Sequence, residues 1–94
     1  MKFSYNKWLK EYQAGPTWPD RLVVVGILWT DATKSEDLDD SGVLVAFTPG
    51  VLMRADKNEV VVGHEVFNNR DHRDVTTVPR KMVKNITTFG SIAL

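Results

Sequence analysis

The segment Leu22-Val23-Val24-Val25-Gly26-Ile27-Leu28-Trp29-Thr30 constrains this chain more than any other. It is apolar and rich in β-branched residues at successive positions, so both faces of the strand it predicts, over about 21–30, ask for cover. Its apolar stretch, Leu22 to Trp29, is eight residues long and includes Gly26. That is far short of the roughly 20 apolar residues that cross a bilayer as a helix. The rest of the chain must therefore supply neighbouring strands and something to lie over them.

Four further stretches read as strands. Val43-Leu44-Val45-Ala46-Phe47-Thr48 repeats the buried pattern over 43–48, and Pro49-Gly50 fits the two central positions of a type II turn before a short strand at 51–55. Asp56-Lys57-Asn58 is the next turn, with Asn58 a candidate for positive φ. A strand at 59–67 follows, in which Gly63 marks a bulge or bend. The polar run 68–74 reads as a loop, and a last strand is expected at 82–88, introduced by Val78-Pro79. The apolar tail Phe89-Gly90-Ser91-Ile92-Ala93-Leu94 either packs back on the sheet or pairs across a subunit contact.

One helix precedes the strands, at about 4–14. Ser4 is the expected N-cap, with Phe3 before it and Trp8 inside forming a hydrophobic staple. Tyr5, Trp8, Leu9 and Tyr12 share one face at i, i+3, i+4 and i+7. Gly15 supplies a left-handed C-terminal position and Pro16 blocks continuation. So short a helix needs a surface to rest on, and a sheet is the expected one.

These elements predict a mainly β domain with one N-terminal α-helix (α+β), spanning 1–94 as a small five- to six-stranded antiparallel barrel or sandwich. In outline it resembles the helix-plus-five-strand barrels of the SH3 and Sm type; no signature residue carries the likeness, which is one of architecture alone.

Composition narrows the function. Twelve basic and twelve acidic residues give a formal net charge of zero, which removes the simplest case for a nucleic-acid or anionic-membrane partner. The charges are unevenly placed: five basic and three acidic in 1–34, two and seven in 35–65, five and two in 66–94. The lack of cysteine excludes a disulfide framework, a thiolate nucleophile and a cysteine zinc site, and with no apolar leader at the N-terminus it points to a reducing cytoplasm.

The constellations that bear on chemistry are few. Asp37-Leu38-Asp39-Asp40-Ser41-Gly42 matches the first half of a calcium loop, but the twelfth position is Thr48 where a bidentate glutamate belongs, so it reads as a solvated acidic turn. His64 and His72, near Glu65, Asp71 and Asp74, have the chemistry of a mixed nitrogen and oxygen metal site, without any metal-binding spacing. Arg70, His72, Arg73, Arg80, Lys81 and Lys84 make the basic concentration of the chain, although Asp71 and Asp74 interleave with the arginines as local ion pairs would. Trp18, between two helix-breaking prolines, is a candidate interface anchor or a seal on the core edge.

No phosphate loop, zinc signature or catalytic triad is present in this sequence. The expected function is therefore a non-catalytic binding protein that recognises another macromolecule, with a protein as partner, no cofactor and no membrane, and with self-association open to it. An accessory or inhibitor protein of bacterial or phage origin fits the size. The alternatives are a nucleic-acid-binding small barrel using the C-terminal basic segment and, behind it, a metal-dependent enzyme built on the histidines.

Overall fold

A computed structural model describes residues 2–31, 44–67 and 69–93. Among the described residues there are one helix, α1 (Tyr5–Gln13), and five strands: β1 (Arg21–Asp31), β2 (Leu44–Ala55), β3 (Glu59–Val66), β4 (His72–Pro79) and β5 (Val83–Ala93). A single 3-10 turn at Arg80–Met82 joins the last two strands. All five strands lie in one antiparallel sheet in the order β4-β3-β2-β1-β5. This is the mainly β, helix-first architecture that the sequence predicts. The sheet is not closed, because no ladder joins β4 to β5 among the described residues.

The inner face of the sheet holds the core. Val25, Ile27, Leu52, Val60, Val62 and Val78 are each at most 1% exposed, and Ile86 of β5 joins them. The aromatic stripe of α1 covers this face as expected: Tyr5 is buried, and Trp8, Leu9 and Tyr12 pack against the core. Ser4 caps the helix, its Oγ accepting from the Lys7 N–H at 3.3 Å. The Tyr5 hydroxyl donates to the carbonyls of Asp56 (2.6 Å) and Glu59 (3.2 Å), which ties the helix to the β2–β3 turn. Arg80 strengthens that tie, donating to Asn6 Oδ1 at 2.7 Å and lying 4.9 Å over the Tyr5 ring.

Several local expectations need correction. Pro49-Gly50 is no turn: β2 runs unbroken through both, with Gly26 opposite Pro49 and Val25 opposite Gly50. Proline is tolerated there because this half of β2 has β1 as its one ladder partner, so an absent N–H breaks no second ladder. The polar run read as a loop over 68–74 gives way to β4 at His72, and the last strand continues past Thr88 to Ala93. The apolar tail thus pairs back on its own chain, Ile92 opposite Leu22 and Ser91 opposite Val23.

The conformational specials also move. Gly15 is not left-handed, and α1 ends on Ala14 at φ −78°. Asn58 has no positive φ; Arg70 (75°) and Asp74 (55°) do. The irregularity near Gly63 lies on the opposite strand, between Leu52 and Arg54, and Gly63 makes room for the Met53 sulfur, which lies 2.5 Å from where its Cβ would be.

Candidate functional site

The residues singled out by charge do not converge. Arg70 and Arg73 flank the β3–β4 turn, whereas Arg80, Lys81 and Lys84 follow the far end of β4. The strand between them holds Arg73 and Arg80 about 23 Å apart at the rise of an extended chain. Arg73 lies 5.1 Å over the Phe67 ring and 3.7 Å from Glu65, and Arg80 is committed to α1. Lys81 and Lys84 are exposed. His72 is exposed at the start of β4, while His64 Nε2 shares a 2.8 Å hydrogen bond with Thr76 Oγ1. Among the described residues no three His, Asp or Glu side chains come together as metal ligands would. Trp18 is half-buried beside Tyr12, Met53 and Ala55, in a shallow cleft at the helix end. The acidic segment 37–42 lies outside the described residues.

A different surface does converge. Side chains alternate along a strand, and residues opposite one another in a ladder share a face. With Val23, Val25, Ile27 and Trp29 turned inward, Leu22, Val24, Gly26, Leu28 and Thr30 face outward. The register adds Val45, Phe47, Pro49 and Val51 from β2, and Asn85, Thr87, Gly90 and Ile92 from β5. None of these is ionisable. Leu22, Val24 and Leu28 are only half-buried, and Phe47, Phe89 and Ile92 are 56%, 60% and 58% exposed.

Gly26 organises this outer face. A Cβ there would lie 2.5 Å from the Phe47 ring and 2.7 Å from the Phe89 ring, so both aromatics rest directly on the backbone of β1. The two rings meet edge to face, their centroids 6.4 Å apart. Phe89 reaches this position because the β1–β5 register shifts between Val24 and Val25, leaving it as the extra residue of a bulge. Two exposed aromatics are thus held by packing on a rigid central strand, which suits an interface anchor.

The inner side offers an open cleft of about 320 Å³ between α1 and the sheet. Trp8 and Tyr12, stacked with centroids 5.7 Å apart, form one wall, and Arg21, donating to Ser91 Oγ at 2.8 Å, lies on the other. Burial raises the Tyr12 phenol above its ordinary pKa, with Arg54 opposing. No buried side-chain nitrogen or oxygen lacks a partner among the described residues, so no buried polar group marks this cleft as a ligand site.

Sequence reasoning passed over Phe47 as a binding residue and raised Phe89 and Ile92 only within an apolar tail that packs back or pairs across a subunit contact. The usable signal was the β1 segment, apolar on both faces in a chain whose single expected helix covers one. No protein-family model, curated protein or solved structure matches the chain.

Proposed function

We propose that this protein is a small non-catalytic interaction module that recognises another protein through the outer face of β1, β2 and β5. The observation that carries the reading is the Phe47–Phe89 pair, seated over Gly26 and more than half exposed. Interface centres are depleted of charge and enriched in aromatics, and this face has both properties. Together the exposed surfaces of Phe47, Phe89 and Ile92 and the half-buried Leu22, Val24 and Leu28 amount to roughly 400 Å², the size at which an apolar patch is often functional. A cytoplasmic setting belongs to the same proposal and rests on the absence of cysteine; no helix among the described residues is long and apolar enough to cross a membrane.

The nucleic-acid alternative depends on Arg70, Arg73, Lys81 and Lys84 acting across the length of β4, with Arg80 already engaged, and this separation favours the protein partner. The test is retention of one defined protein from the native extract by immobilised wild type. Retention is expected to vanish with Phe47→Ser plus Phe89→Ser and to persist with Lys81→Ala plus Lys84→Ala. A partner indifferent to the two phenylalanines, or one displaced by salt and by the lysine changes, would overturn the reading.

A further inference from the structure

The sheet has two edges, and they are built differently. The β4 edge carries His72, Arg73 and Asp74 in succession, kinks where Asp74 takes φ 55°, and ends at Pro79. Charge, irregular backbone and proline are the devices that stop a strand edge from pairing with another chain. From Asn85 to Ala93 the β5 edge, NITTFGSIA, has no charge and no proline, and its irregularity is the bulge at Phe89. Every residue of β5 from Thr87 to Ala93 is exposed, and among the described residues β1 is its one ladder partner. A long edge without charge or proline is a template for pairing with another strand.

We propose that β5 pairs antiparallel with β5 of a second copy, giving a twofold-symmetric homodimer whose sheet runs through both subunits. This rests on reading the outer face as an interaction surface, and it names the occupant of its β5 side. A strand that meets itself antiparallel makes a self-complementary contact, which closes at two copies. A ring or filament would need β5 of one copy to meet β4 of the next, and the charged, kinked β4 edge opposes that. Pairing centred near Phe89 sets the two Phe89 rings on the same side of the joined sheet, close to the twofold axis. It places each Ile92 toward the Asn85 end of the other strand. A standard interface buries about 800 Å² per partner. Edge pairing leaves Phe47, two strands from β5, on the open face, so the exposed residues of β5 have to supply most of that area.

Light scattering on the intact chain is the primary test. At about 100 µM, a dimer with a dissociation constant near 1 µM is almost wholly associated, and the expected mass is twice the 10.6 kDa of one chain. Phe89→Lys with Ile92→Lys is expected to return the monomer mass with an unchanged circular dichroism spectrum, while Val75→Lys on β4 leaves the dimer intact. Because the chain has no cysteine, a single Thr88→Cys, Phe89→Cys or Gly90→Cys gives an independent readout. The position nearest the axis is expected to form a disulfide-linked dimer on mild oxidation, and Val75→Cys is not. A wild type that is monomeric at this concentration, or a dimer broken by Val75→Lys instead, overturns the pairing. The capture experiment on Phe47 and Phe89 reads a different protein, so the interaction module survives a monomeric result if that capture succeeds.

Discussion

The two faces of β1 differ by one residue of register and by nearly everything else. Val25 and Ile27 are completely buried under α1, whereas Leu28, beside them in sequence, is only half-buried, and Gly26 carries two exposed phenylalanines. Neither face carries a charge between Leu22 and Thr30. Among the described residues one helix is there to cover them, and the Tyr5 hydroxyl bonds to Asp56 and Glu59 commit it to the inner side. Apolar residues at a strand's two parities thus divide into those that hold the fold and those left for another molecule.

Mutations sharpen this contrast. Ile27→Ala removes a completely buried side chain and is expected to destabilise the protein by about 2–5 kcal/mol in urea unfolding. Phe47→Ser, on the outer face, is expected to cost about 1 kcal/mol, the worth of its edge-to-face contact with Phe89. Equal losses at the two positions would show that the outer face is part of the core.

Tyr5→Phe comes next, since it removes the hydroxyl that joins α1 to the β2–β3 turn, at an expected cost of about 1 kcal/mol. Burial is the main cause that raises the Tyr5 phenol, reinforced by Asp56 and opposed by Arg80. A raised acid stabilises in its protonated form. Its contribution is fully present below the unfolded value of about 10 and is lost as pH climbs through the higher folded value. Wild type is therefore expected to lose thermal stability on the alkaline side, and Tyr5→Phe to flatten that limb.

Asp56 gives a smaller effect of opposite sign. Its carboxylate accepts from the Asn58 N–H at 2.7 Å and the Glu59 N–H at 3.0 Å, and these bonds, the Asn58 one first, with help from Arg54, hold its pKa below the ordinary carboxylate value. The stabilisation is present above the unfolded value and disappears as pH falls through the depressed folded one. Asp56→Ala is expected to lower the melting temperature slightly at neutral pH and to make the acid limb shallower. An unchanged acid limb would remove this carboxylate from the account.

Gly26→Ala has the smallest expected effect on stability, because the atoms its methyl meets belong to the outer ends of two exposed rings that can swing away. The structural claim lies in the other readout: partner capture is expected to fall although the fold is retained. Full capture by the alanine variant would show that the seat over Gly26 is incidental.

The start of the helix and its buried face were legible, because the cap and the aromatic spacing are local signals, whereas the left-handed end expected at Gly15 was not found. The strand core was legible too, since β-branched runs declare themselves over a few residues. β4 was not: His72, Arg73 and Asp74 look like loop residues, and only pairing with β3 makes them a strand. Pro49-Gly50 looked like a turn for the same reason, its local preference being overridden by the ladder with β1. The basic candidates matched a composition pattern that says nothing of distance, and β4 holds their two groups apart.

By itself the sequence determined the helix, the apolar strand segments and the absence of cysteine chemistry, because capping, side-chain periodicity and residue identity act over a few neighbouring positions. The tertiary structure alone decided which face of β1 is covered, which edge is left bare and which aromatics meet over Gly26. Those outcomes depend on register between residues dozens of positions apart, as in Gly26 opposite Thr87, and a one-residue slip would have exchanged the two faces.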